Sequence, residues 1–246
     1  VQGNIDQDKK WTPANKRKTI EKYIRLSESL APQKPDLVVW PETALPFYYG
    51  IEPTLTDRVR QAVSRMNTRF LIGSPAVERQ DKTLSFFNRA YLFEGRAGGR
   101  AQILGTYDKH HLVPFGEYVP LGDHLTFLGK ITAQAGDFSP GDRGFIPLWF
   151  DQQSTGVLIC FEILFPQIAS QFVRNGATLL TTLTNDAWFG TSPASRQHCA
   201  MAVFRAVENR RSLIRAANTG ISGFIDPAGR FLDATGLFED AALCRA

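Results

Sequence analysis

The chain has 246 residues, of which 43% are hydrophobic and 21% charged, with a formal net charge of +4. That length suits one large α/β domain with a sizeable core, and the balance excludes a disordered or fibrous protein. Basic residues are scattered except around Arg205, Arg210, Arg211 and Arg215, which argues against nucleic-acid binding and leaves a weak attraction to anionic lipid heads.

No apolar run reaches the ~20 residues of a membrane helix. The chain opens on Val1 without a signal-peptide pattern, as expected of a processed chain or of a domain from a longer protein. Cys160, Cys199 and Cys244 follow neither CxxC nor metal-ligand spacing, so no metal site is expected and one thiol stays unpaired in a monomer. Cys199 and Cys244 read as small buried hydrophobes.

Taken in order, the first helix lies in PANKRKTIEKYIRLSESLA, with Pro13 in its first turn and Ile20, Tyr23, Ile24 and Leu30 on one face. PDLVVW (35–40) reads as a buried strand. TLTDRVRQAVSRMN follows as a helix with Val59, Ala62, Val63 and Met66 inward. RFLIGS (69–74) is a strand, and NRAYLFEG and RAQILGTY flank the turn signal AGG (97–99) as a β-hairpin. Then come the strand TGVLIC, the helix FPQIASQFVRNG with its glycine stop, and the strand ATLLTTLTN (177–185). SRQHCAMAVFRAVENRR is expected to bury a stripe of Ala200, Met201, Phe204 and Val207, and SLIRAAN, GISGFIDP and RFLDA close the chain as strands. Strand–helix alternation with hairpins predicts an α/β fold with a mixed sheet, residues 1–246 forming one domain without repeats.

Three polar side chains fall just beyond strand ends: Glu42 in WPETALP, Lys109 in YDKHHLVPF and Cys160 at the end of TGVLIC. Such positions are where α/β proteins assemble active sites, because the sheet is rigid and the loops are free to vary. Each alone has a plainer reading, as a turn carboxylate, a solvated lysine or core filler. Together a thiol, a carboxylate and an ammonium form a nucleophilic set that needs no histidine. The ammonium would favour the thiolate, the carboxylate would take the proton, and Lys109 with a backbone N–H would stabilise the oxyanion formed on a carbonyl. Losing one such donor typically costs about 3–4 kcal/mol of transition-state stabilisation. Neighbouring side chains on extended backbone alternate faces, which argues against a Cys–His pair through His110 or His111. His124 and His198 read as ordinary polar positions. Glu162, two residues past the thiol, is an expensive carboxylate to place beside a core strand.

WPETALPF, YDKHHLVPFGEYVPL, ICFEILFP, TNDAWFGTSPASRQH and FRAVENRRSLIRAANTGISGFIDPAGR carry a resemblance that spans about Gln2 to Arg230. The chain resembles the nitrilase, or carbon–nitrogen hydrolase, superfamily. YDKHHLVPFGEYVPL, TNDAWFG and RAANTGIS are similar to its apolipoprotein N-acyltransferase branch. The resemblance implies a nitrilase-like αββα sandwich with mixed β-sheets, and no cofactor or metal. It implies Glu42 as general base, Lys109 as oxyanion-stabilising residue and Cys160 as nucleophile, with Glu117 orienting the lysine and Glu162 fixing the thiol loop. Trp11 matches a tryptophan carried ahead of the glutamate motif, and Phe161 stands where the branch commonly has tyrosine.

The implied reaction moves an acyl chain from a phospholipid, through a Cys160 thioester, to the N-terminal diacylglyceryl-cysteine amine of an apolipoprotein. Its place would be the periplasmic face of the bacterial inner membrane, within a longer protein whose membrane helices are absent here. Keeping water from a thioester asks for apolar cover. Candidates are Leu45, Phe47, Tyr48 and Tyr49, then Leu121, Leu125, Phe127, Leu128 and Ile131, and then Phe161, Trp188 and Phe189; core packing is the alternative for each. Two other readings share the sequence: a soluble amidase acting on a small amide, and a non-catalytic domain that binds lipid or a partner.

Overall fold

The computed structural model describes residues 1–80, 83–118 and 138–245. The expected lids at Leu121, Leu125, Phe127, Leu128 and Ile131, with His124, lie outside the described residues. Among the described residues four α-helices, α1 (Pro13–Glu28), α2 (Pro53–Met66), α3 (Pro166–Arg174) and α4 (Ala194–Asn209), flank two sheets. The first sheet has the order β1-β2-β3-β4: β1 (Leu37–Val39), β2 (Arg69–Gln80), β3 (Thr83–Glu94) and β4 (Gln102–Asp108). The second has the order β10-β9-β8-β7-β6-β5: β5 (Leu148–Phe150), β6 (Gln153–Ile159), β7 (Leu179–Thr184), β8 (Leu213–Ala217), β9 (Gly223–Ile225) and β10 (Phe231–Ala234).

Period-two alternation assigns the faces of the first sheet. Val38, Trp40, Phe70, Ile72, Tyr91 and Phe93 share a core with Ile20, Tyr23 and Ile24 of α1 and Val59, Ala62 and Val63 of α2. The intervening Val39, Leu71, Ala90 and Leu92 belong to a second core with Val157, Leu158 and Ile159 of β6, Ile168, Ala169 and Phe172 of α3, and Ala202 and Ala206 of α4. Both faces of the sheet are therefore covered, which is why PDLVVW and RFLIGS read as unbroken apolar runs. The layers run helix, sheet, sheet, helix, as the αββα expectation has it.

Strand direction decides where the loops gather. β1 pairs parallel to β2, while β2–β3 and β3–β4 are antiparallel, so β1 and β4 point the same way. In the second sheet β6, β7 and β8 are mutually parallel. The carboxyl ends of β1 and β4, and those of β6 and β7, thus each form a common rim.

One helix departs from expectation. In α4 the buried residues are Ser195, His198, Cys199, Ala202, Arg205 and Ala206, whereas Phe204 and Val207 of the predicted stripe are 53% and 45% exposed. The inward face is polar because its polar groups find partners there. Arg205 donates to the Ile163 carbonyl at 3.1 Å, and a His198 ring nitrogen lies 3.1 Å from the Cys160 carbonyl. Apolar periodicity alone chooses the wrong side of such a helix.

Gly73 on β2 shows how closely the layers approach. A Cβ there would lie 2.7 Å from the Glu42 Cα and collide with the Pro41 carbonyl oxygen. Gly73→Ala is expected to lower stability by about 1–3 kcal/mol through overpacking, read as a lower urea midpoint at unchanged slope.

Candidate active site

Lys109 leaves β4 with its N–H donating to the Asn88 carbonyl of β3 at 2.9 Å, and its side chain is only 1% exposed. Its ammonium sits 2.8 Å from Glu117 Oε2 and 3.7 Å from Glu42 Oε1. Burial alone would lower its pKa, but the charges of Glu117 and Glu42 outweigh it and hold the group above the ordinary lysine range. Lys109 is therefore a permanent cation.

Two carboxylates on one ammonium would repel each other without a spacer. Asn88 provides it: its amide nitrogen donates to Glu42 Oε1 at 2.7 Å and to Glu117 Oε1 at 2.8 Å. The Asn185 backbone N–H, at the end of β7, donates to Glu42 Oε2 at 2.9 Å, and the Val113 N–H donates to Glu117 Oε2 at 2.8 Å. Every acid oxygen thus has a donor, as burial requires. Glu42 sits just before Thr43, whose φ of 48° is unusual for a β-branched residue, in a loop held against Gly73.

Cys160 follows β6 with φ of 51°, a left-handed conformation that side chains with a Cβ rarely adopt. Burial pushes its thiol up to about 12; the Glu42 charge adds to this, while Lys109 and a hydrogen bond with Thr184 pull it back. The expected attraction of the ammonium for the thiolate is thus present but outweighed. At neutral pH the nucleophile therefore rests as a thiol and needs a base.

Glu162 answers for its own burial. It is fully enclosed, and Oε1 accepts from the Tyr107 hydroxyl at 2.8 Å and from the His110 and His111 N–H groups at 2.8 and 3.2 Å. Oε2 accepts from the Ile159 N–H at 2.8 Å. Burial raises its pKa to about 7 against the downward pull of these donors and of Lys109. One side chain thereby ties the residues after Lys109 to the residue before Cys160. The two histidines present backbone, not imidazole, to this junction. Their rings pack on Tyr107 and Phe145, and on Phe165.

The apolar candidates divide. Phe47 is 1% exposed and belongs, with Leu45 and Tyr49, to the core shared with α1 and α2, so its assignment as a substrate contact is corrected: the ring is consumed by packing. Tyr48 is half-buried against Phe86, and Phe161 lies edge-on to Phe165 at 5.3 Å. Trp188 is 55% exposed, and Phe189 packs on the His198 ring. Trp11 is half-buried, its indole N–H without a partner among the described residues, and the Lys10 ammonium lies 5.3 Å from its ring centre. Lys10 is itself buried, 3.5 Å from the Thr43 carbonyl, and burial lowers its pKa to about 8.

Asn88, Thr184 and Asn185 were not singled out from sequence. An asparagine inside FFNRAYLF, where strand residues are otherwise apolar or aromatic, was the available signal. Cys160, Cys199 and Cys244 are all free thiols. No helix among the described residues is long and apolar enough to cross a membrane.

The carbon-nitrogen hydrolase family profile matches residues 1–244. An apolipoprotein N-acyltransferase of Geobacter metallireducens is 45% identical over 99% of this chain and 46% of its own length. Those of Pseudomonas aeruginosa and Chlorobaculum tepidum are 36% and 34% identical, again over 99% of this chain, and over 46% and 49% of theirs. The chain spans about half the length of the curated relatives it matches. Among solved structures, a carbon-nitrogen hydrolase from Helicobacter pylori G27 superposes with TM-score 0.65 at 21% identity, covering 93% of this chain and 82% of that one. A glutamate-to-glutamine variant of an amidase from Nesterenkonia sp. AN1, with the acetamide moiety of fluoroacetamide added covalently at its active site cysteine, superposes with TM-score 0.68 at 18% identity, covering 92% and 82%. At those identities the likeness speaks for the fold.

Two outcomes test the geometry. Iodoacetamide labelling of Cys160, read site by site by peptide mass, should still be accelerating above about pH 9, since the raised thiol pKa puts half-ionisation far above neutrality; a plateau by about pH 8 contradicts a resting thiol. Glu162→Ala strips four donors of their acceptor and should destabilise the chain by about 3 kcal/mol or more in urea unfolding, whereas a loss under about 0.5 kcal/mol removes its role as a tie.

Proposed function

The chain belongs to the carbon–nitrogen hydrolase family, and on that premise we propose that residues 1–246 are one catalytic domain, the acyl-transfer domain of an apolipoprotein N-acyltransferase. The observation that carries the reading is the buried Lys109–Glu42–Glu117 cluster, whose charges act on the Cys160 thiol. Likeness to the three N-acyltransferases supports the choice of branch.

Glu42 takes the thiol proton as the Cys160 sulfur attacks the ester carbonyl of a phospholipid acyl chain. The carbonyl electron pair moves onto oxygen, where Lys109 and the Phe161 N–H stabilise it. As that pair returns, the C–O bond breaks, the lysophospholipid oxygen takes the proton from Glu42, and a thioester remains. The α-amine of an apolipoprotein diacylglyceryl-cysteine then attacks the thioester and loses a proton to Glu42. The C–S bond breaks, the sulfur regains that proton, and the product is an amide.

Glu117 keeps Lys109 charged and aimed, because a buried ammonium facing a single carboxylate at 3.7 Å would be poorly held. The half-buried Tyr48, Phe161 and Phe189 and the exposed Trp188 form the apolar cover that favours an amine over water, with Trp11 ahead of Glu42. In the longer protein the domain would stand at the periplasmic face of the inner membrane.

Incubation of the chain with phospholipid vesicles should give a mass increase of one acyl chain, lost in Cys160→Ala and slowed about 10²–10⁴-fold in Glu42→Gln. Labelling by small amides with no lipid adduct would point instead to an amidase. A Cys160 that reacts with neither would leave only a binding domain.

A further inference from the structure

Four side chains behind Cys160 have no part in the chemistry just described, although they are among the most deeply buried polar groups described. Arg215, in β8, and Asp186, just after β7, are 1% and 0% exposed, and His198 of α4 is 6% exposed. The Arg215 guanidinium donates to Asp186 Oδ2 at 2.7 Å. Asp186 Oδ1 lies 3.0 Å from His198 Nδ1 and accepts from the Thr184 hydroxyl at 3.0 Å. His198 Nε2 lies 3.1 Å from the Cys160 carbonyl oxygen, and the Thr184 hydroxyl, whose hydrogen goes to Asp186, also acts on the Cys160 sulfur. Asp186 therefore governs two contacts with the same residue, one at its carbonyl and one at its thiol.

A carbonyl only accepts, so Nε2 carries the hydrogen. The opposite edge of the ring faces both the Asp186 carboxylate and, at 3.3 Å, an Arg215 nitrogen, so it is gripped in either protonation state. The Cys160–Phe161 peptide is planar and trans, which points its N–H opposite to its C=O. Fixing the carbonyl toward His198 fixes the Phe161 N–H on the other side. A hydrogen bond to the carbonyl also polarises the peptide and strengthens that N–H as a donor. The backbone needs the restraint, because Cys160 sits at φ of 51°.

We propose that His198, held by Asp186 and Arg215, is a positioning residue of the acyl-transfer site: its hydrogen bond to the Cys160 carbonyl sets the Cys160–Phe161 peptide and aims the Phe161 N–H at the developing oxyanion. The inference rests on the acyl-transfer reading above. It assigns one residue of the buried polar face of α4, His198, to catalysis by way of the backbone. Thr184 forms a separate arm that acts on the sulfur.

Two reactions of the same thiol separate these arms. Acylation by p-nitrophenyl butyrate passes through an oxyanion; alkylation by iodoacetamide does not. In the full chain, His198→Ala should slow acylation of Cys160 roughly 100-fold, the low end for loss of an oxyanion donor, at little change in the concentration for half-maximal rate. Its alkylation should stay within about twofold of the parent, because no oxyanion donor is engaged. His198→Gln retains an N–H donor and should recover most of the acylation rate; should His198→Ala fail to fold, the glutamine and Thr184→Val variants still decide the matter. Thr184→Val should shift both reactions together. Acylation of the His198→Ala chain at the parent rate overturns the positioning role, as does a His198→Gln chain that loses acylation and alkylation in parallel. Failure of the parent chain itself to take an acyl group from the ester is a different result: it removes the nucleophile reading, and this inference with it.

Discussion

A single buried ammonium organises this molecule. Lys109 lies almost wholly out of water, and an unpaired charge there would cost several kcal/mol. Its neutralisation by Glu117 and Glu42 obliges two further charges to be buried, and their mutual repulsion obliges Asn88 to stand between them. Asn185 and Val113 then satisfy the remaining acid lone pairs with backbone N–H groups. Each requirement brings in another segment, so one cation recruits β1, β3, β4, the end of β7 and the 113–117 turn into one cluster.

The thiol obeys a different rule. It is neutral at rest, so it tolerates the apolar end of β6 without a partner charge, and the problem there is conformational. Cys160 occupies a left-handed backbone, Glu162 clamps the N–H before it, and His198 contacts the carbonyl behind it. Glu162 also reaches the backbone after Lys109, so the position of the amine and that of the sulfur are set by the same carboxyl group. Charge pairing fixes one half of the site and backbone restraint the other.

Much of this was legible in the chain. Apolar runs located the strands of both sheets except β5, and a polar residue just past each of three of them located Glu42, Lys109 and Cys160. What periodicity could not reveal was polarity turned inward. The α4 stripe went to the wrong face because His198 and Arg205 are buried by virtue of partners distant in sequence, and Arg215 in SLIRAAN looked like one of a cluster of four cations. Phe47 looked like a lid because it follows Glu42, yet the loop turns its ring into the helix-side core. Hydrogen-bond partners 29 to 143 residues away are invisible to any local pattern.

The ends of the chain carry one more consequence. Gln2 pairs with Ala241 through its backbone, and its side chain reaches the carbonyls of Gly236 and Glu239 and the hydroxyls of Ser222 and Thr235. During synthesis from the ribosome, Gln2 must wait for residues 222–241 before these bonds can close. Such distant pairing makes loop closure costly and acquisition of the native state slow. A nascent chain would therefore leave this seam open until residues 222–241 had emerged.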